Sequence, residues 1–284
     1  MINIFTSMKK HLLLISIFVY ISVIVNSQSF IERAPEGFDL PQTGVLAGKI
    51  DTIAYESNTV GTTRNALLYT PPCFNLETQY PVLYLFHGIG GDEFEWYVNG
   101  SPNLIFDNLI AEGKMKPMIV VLPNGRAMKN DRAEGNIFER DKVEAFSTFE
   151  QDLLNDLIPH IEANYPVIKE RKHRAIAGLS MGGGQALNFG LGNMNHFAWV
   201  GGFSSAPNTK APSELIPNPS IVNEKLELLY ISCGDQDALL HVTVRTHEFL
   251  DSNNILHIYR LIPNGHHDFV VWKDDLYHFV QLLF

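Results

Sequence analysis

Arg174-Ala175-Ile176-Ala177-Gly178-Leu179-Ser180-Met181-Gly182-Gly183-Gly184 holds the reading that decides the fold. Arg174 to Ala177 is a short apolar run, the pattern of a buried strand, and residues 182 to 191 predict a helix. Between them lies Gly-x-Ser-x-Gly. That motif alone is common, but a strand on one side and a helix on the other is the setting in which a strained turn exposes a serine hydroxyl. Glycines flanking the serine remove the Cβ clashes that arise when a helix folds back on its strand. Ser180 is therefore the candidate nucleophile.

Outward from this turn the alternation continues. Val82 to Phe86, Met118 to Leu122, Ala198 to Phe203, Leu228 to Ser232 and Leu256 to Ile262 read as further buried strands. Helical patterns lie between them: Pro102 to Glu112, a run from Phe149 to Ile161 with a kink expected at Pro159, residues 239 to 251, and Leu276 to Leu283. Strand and helix in alternation predict an α/β fold, a mostly parallel central sheet with helices on both faces. Ile50 to Tyr55 and Arg64 to Tyr69 precede the alternation and predict an antiparallel edge. Residues 123 to 147 and 205 to 225 read as unusually long connections, where substrate pockets are often built.

A serine hydroxyl needs a histidine to take its proton, and the histidine needs a carboxylate to hold its tautomer. In an α/β-hydrolase fold these follow in the order Ser, Asp, His, each at the end of a strand. After Leu228 to Ser232 comes Cys233-Gly234-Asp235-Gln236-Asp237; after Leu256 to Ile262 comes Pro263-Asn264-Gly265-His266-His267-Asp268. Spacing leaves both acids and both histidines open. His87, followed by Gly88-Ile89-Gly90-Gly91, sits where an oxyanion loop begins, which makes the backbone N–H groups of Ile89 and Met181 the candidate oxyanion donors. Trp96, Tyr97 and Trp272 flank these motifs and are candidate pocket walls. The adjacent His266 and His267 lack further ligands at zinc spacing, so no zinc site is expected there, and a serine, histidine and carboxylate acting together need no metal or organic cofactor.

The bulk numbers agree with one catalytic domain: 284 residues, 45% hydrophobic and 18% charged. Lys9 and Lys10 precede an apolar run from Leu12 to Val25, and Asn26-Ser27-Gln28 follows, the shape of a secretory signal peptide over residues 1–27. The expected product is a secreted or periplasmic domain over residues 28–284, free of the membrane once the leader is removed. With 19 basic against 31 acidic residues it carries a formal charge of −12, which argues against nucleic acid as a partner. Cys73 and Cys233 are expected to be separate thiols.

On these residues the chain resembles the family 1 carbohydrate esterases, and most of all the feruloyl esterase domains attached to bacterial xylanases. The likeness runs from about Gly44 to the C-terminus. It rests on Tyr69-Thr70-Pro71-Pro72, His87-Gly88-Ile89-Gly90-Gly91, Asp107-Asn108-Leu109-Ile110, the stretch from His173 to Gly184, Cys233-Gly234 with Asp237, and His267-Asp268-Phe269 with Trp272-Lys273. The resemblance implies that Asp237 is the acid and His267 the base. It also implies ester hydrolysis on plant cell-wall polysaccharide, releasing ferulate or a related hydroxycinnamate from arabinoxylan. Acetylated xylan and siderophore-type esters are alternatives within the same chemistry, and a non-catalytic carbohydrate-binding protein is an alternative outside it. The chain departs from the family at Cys73, where glycine is usual.

Overall fold

The computed structural model describes residues 32–284, so the expected leader and the first residues of the expected domain lie outside the described residues. Two long strands come first, β1 (Lys49–Ser57) and β2 (Thr62–Thr70), paired antiparallel around the turn at Gly61. Then follow β3 (Val82–Phe86), α1 (Glu95–Gly100), α2 (Pro102–Ala111), β4 (Ile119–Pro123), α3 (Arg140–Asp152) and α4 (Ile158–Asn164). The remainder is β5 (Arg174–Leu179), α5 (Ser180–Gly192), β6 (Trp199–Phe203), α6 (Pro212–Leu215), α7 (Pro219–Lys225), β7 (Leu228–Gly234), α8 (Leu240–Ser252), β8 (Ile258–Ile262) and α9 (Phe269–Val280).

The strands form one sheet in the order β1-β2-β4-β3-β5-β6-β7-β8. β1, β2 and β4 pair antiparallel, and every pair from β4 through β8 is parallel. Such strands are covered on both faces, which is why β3, β4 and β5 are buried at every residue instead of alternating with polar positions. Side chains still alternate in direction. Val82, Tyr84 and Phe86 enter one core with Phe149 of α3, Leu187 and Phe189 of α5 and Leu250 of α8. Leu83 and Leu85 enter the other, with Trp96 of α1, Phe106 of α2 and Phe279 of α9. A fully buried side chain of this size contributes roughly 1.5–3 kcal/mol, so the two layers dominate the stability of the sheet.

A buried ion pair ties the edge hairpin to this frame. Arg64 of β2 donates to Asp152 at the end of α3, and the Tyr55 hydroxyl donates to the same carboxylate at 2.6 Å.

The fold class follows the sequence reading, but several elements differ from it. Both long connections hold helices: α3 begins at Arg140 within the first, and α6 and α7 lie in the second. The last helix starts at Phe269, not Leu276, because the Asp268 side chain accepts the amides of Val270 and Val271 and caps it. At Pro159 the helical backbone runs on unbroken: a π-helical turn over Leu153–Leu157 joins α3 to α4, and this wider turn just before the proline accommodates its missing N–H. No helix among the described residues is long and apolar enough to cross a membrane. Cys73 is exposed and Cys233 buried, and both are free.

Candidate active site

Ser180 stands where β5 meets α5 with φ +51°, a left-handed backbone that a non-glycine residue adopts only when its surroundings force it. The force is close packing. A Cβ on Gly178 would lie 2.5 Å from the backbone of Gly182, and one on Gly182 would lie 2.4 Å from the His87 carbonyl. The absence of both side chains lets helix, strand and the His87 loop close together and leaves the hydroxyl pointing away from the sheet.

Asp237 and His267 are delivered by two loops that bind each other. The turn after β7 donates the Asp235 amide to the Ile262 carbonyl and the Gln236 amide to the Gly265 carbonyl, at 3.0 and 2.9 Å. This contact sets His267 Nδ1 2.7 Å from Asp237 Oδ2 and His267 Nε2 2.9 Å from Ser180 Oγ. The second Asp237 oxygen accepts the Leu239 amide at 2.8 Å. Burial alone would raise the Asp237 pKa, but these hydrogen bonds outweigh it and hold the carboxyl below its ordinary value. An ionised acid fixes His267 with its proton on Nδ1, leaving the Nε2 lone pair free to accept the serine proton. Of the pairs left open by spacing, Asp235 is bonded to Gln236 and His266 is exposed; neither joins this row.

Across from Ser180, the loop after β3 is held by side chains. The neutral His87 ring donates Nδ1–H to the Gly88 carbonyl at 2.6 Å and accepts the Gly125 amide on Nε2 at 2.8 Å; burial pushes its pKa down to about 4. Glu95 accepts the Gly88 amide at 2.7 Å, so the next free amide along the loop is that of Ile89. Burial raises the Glu95 pKa, with the Gly88 amide acting against it. Met181 lies in the first turn of α5, where amides have no carbonyl partner within the helix. Two backbone donors near a serine hydroxyl can stabilise a tetrahedral oxyanion.

The aromatic residues separate into different roles. Trp96 is not a pocket wall: it is 1% exposed, donates its indole N–H to the Phe86 carbonyl at 2.9 Å and packs edge-on against Phe269. Its helical neighbour Tyr97 faces solvent. Trp272 stands edge-on to the His267 ring, centroids 4.9 Å apart, and its indole N–H has no partner among the described residues. No cluster of three or more metal-binding side chains occurs among the described residues.

Sequence reading passed over Arg126 and Glu95, which brace the loop at Ile89 and Gly88. Pro123-Asn124-Gly125-Arg126, directly after an apolar strand, was the available signal, since ends of parallel strands gather functional groups.

The chain matches the Esterase family over residues 57–280. It is 33% identical over 242 residues to an endo-1,4-beta-xylanase/feruloyl esterase of Xylanibacter ruminicola, an alignment that takes in 84% of this chain and 31% of that protein. The chain thus spans about a third of that relative's length. The CE1 ferulic acid esterase of Anaeromyces mucronatus, solved in complex with ferulic acid, superposes with a TM-score of 0.79 at 26% identity, covering 89% of this chain and 96% of that one. The same enzyme without substrate superposes at 0.78, with 25% identity and coverage of 88% and 96%.

Proposed function

This chain belongs to the Esterase family, and from that premise we propose that it is a secreted serine carboxylic-ester hydrolase that releases ferulate or a related hydroxycinnamate from plant cell-wall arabinoxylan. The observation that carries the reading is the continuous row from Asp237 through His267 to Ser180, with contacts of 2.7 and 2.9 Å. Support for the acyl group comes from the ferulic acid bound by the Anaeromyces mucronatus enzyme and from the double name of the Xylanibacter ruminicola relative. Secretion rests on the leader expected over residues 1–27, and the acting domain on residues 28–284.

Ser180 attacks the ester carbonyl while His267 Nε2 takes the hydroxyl proton, and Asp237 steadies the imidazolium that forms. The Ile89 and Met181 amides hold the oxyanion of the tetrahedral intermediate. His267 then protonates the departing sugar alcohol, leaving an acyl-serine. Water, deprotonated by the same ring, attacks the acyl carbonyl and frees the acid. Trp272, packed on the base, keeps the ring from rotating out of line and borders the place where the acyl group enters.

The test of substrate is a panel in which methyl ferulate, methyl sinapate and acetylated xylan are offered to the purified chain. Higher kcat/KM on the hydroxycinnamates is expected. Release of acetate with no turnover of either aromatic ester would replace the feruloyl reading with an acetyl xylan one.

A further inference from the structure

Arg126 breaks a rule that the other deeply buried arginines obey. Arg64 is paired with Asp152, Arg174 with Glu162, and Arg260 with Asp274 and Asp275. The Arg126 side chain is completely buried, yet it makes no salt bridge among the described residues. Its guanidinium donates to two backbone carbonyls, those of Asp131, at 2.8 Å, and Ile89. Its Nε has no partner, and the Phe146 ring lies under its Cζ at 5.0 Å. The nearest acid, Asp131, turns its carboxylate to Arg132 and Arg64 instead. Burying a cation without a counter-ion costs several kcal/mol, so such an arrangement persists where the charge serves something.

What it faces is the Ile89 peptide. From the structure we infer that Arg126 is a positioning residue for the oxyanion site, holding the Ile89 carbonyl so that the Ile89 amide stays aimed at the reacting carbonyl, and placing a positive charge with no direct ion-pair partner behind it. The inference rests on the esterase reading above. The atoms around that amide are fixed from three sides: His87 grips the Gly88 carbonyl, Glu95 the Gly88 amide, and Arg126 the Ile89 carbonyl. Arg126 is itself fixed, since its amide donates to Asn124 Oδ1 at 3.0 Å and its carbonyl accepts from Arg64 at 2.8 Å. A cation on a peptide carbonyl polarises that unit, and in a low-dielectric site its field reaches charge developing one residue away. The long connection after β4 thus works on the chemistry through its first turn.

The experiment compares wild type with Arg126→Met and Arg126→Lys on methyl ferulate, with phenylboronic acid as a tetrahedral analogue and ferulate as a product ligand. Arg126→Met is expected to lower kcat by roughly 30-fold, less than the ~10²–10³-fold cost of removing an oxyanion donor outright because the Ile89 amide is displaced and not deleted, while KM moves less than about twofold. Boronate affinity falls in parallel, ferulate affinity does not, and Arg126→Lys recovers part of kcat. If Arg126→Met fails to fold, Arg126→Lys decides: with an unchanged melting temperature it should lose about fivefold in kcat and in boronate affinity. A folded variant that keeps wild-type kcat and boronate affinity, or whose loss lies wholly in KM, overturns the assignment. A wild type that turns over no ester would instead overturn the function on which it rests.

Discussion

Gly125 N–H reaches His87 Nε2 at 2.8 Å and thereby fixes the ring as the tautomer that donates from Nδ1 to the Gly88 carbonyl. The imidazole is a structural bridge between the end of β4 and the end of β3, and it works only while neutral.

That requirement sets a pH dependence. The folded ring has a pKa of about 4, against 6.5 for the free side chain. Between those values the unfolded chain binds a proton that the folded one refuses, so each step down in pH favours unfolding. The contribution is present above pH 6.5 and is lost as pH falls toward 4, by about 3 kcal/mol in all. Chemical denaturation across this range should show a steeper acid loss for wild type than for His87→Gln, whose amide oxygen can still accept the Gly125 N–H without titrating. Parallel curves would contradict the bridge.

Asp237→Asn keeps the shape of the acid and removes its charge. The amide can no longer hold His267 with its proton on Nδ1, so kcat should drop by about 10³–10⁴ with little change in melting temperature. Steady-state kinetics beside a thermal melt would check this; a variant within tenfold of wild type would remove Asp237 from the mechanism.

Trp96→Ala and Trp272→Ala should fail in different ways. The first empties a core position and leaves the Phe86 carbonyl unpaired, a loss of about 3–5 kcal/mol in stability. The second leaves the His267 ring without its packing partner, so its chief effect should be on kcat. Denaturant midpoints and kinetics on both proteins separate the two; equal effects on stability and activity would not fit.

Gly178→Ala places a methyl group 2.5 Å from the Gly182 backbone. The elbow must open to admit it, at a cost of about 1–3 kcal/mol and with Ser180 displaced from His267. Lower stability and much lower activity are expected from the same measurements, and an alanine tolerated in both would mean that the turn is not tight.

How much was legible in the sequence depended on whether the signal was local. The buried strands were readable because their residues are apolar without interruption, and Ser180 because glycines must flank so tight a turn. The order of Asp237 and His267 was readable, but the choice over Asp235 and His266 came only from the family resemblance, because the mutual hydrogen bonds of two loops that deliver these side chains are not encoded in any spacing. Trp96 was misjudged because an indole beside a glycine-rich loop reads alike whether it faces a ligand or the core; only the Phe86 carbonyl beneath it decides. Helix α3 was hidden because its exposed polar face made residues 140–147 look like loop. Arg126 was invisible because its partners are backbone carbonyls from distant segments.

The most direct measurement is kcat/KM for methyl ferulate with wild type and Ser180→Ala, run beside intact-mass analysis after a fluorophosphonate. The account predicts turnover by wild type, a fall of roughly 10⁴-fold or more in the variant, and one adduct that maps to Ser180 and disappears with it. Undiminished hydrolysis by Ser180→Ala, or an adduct on another residue, would contradict it.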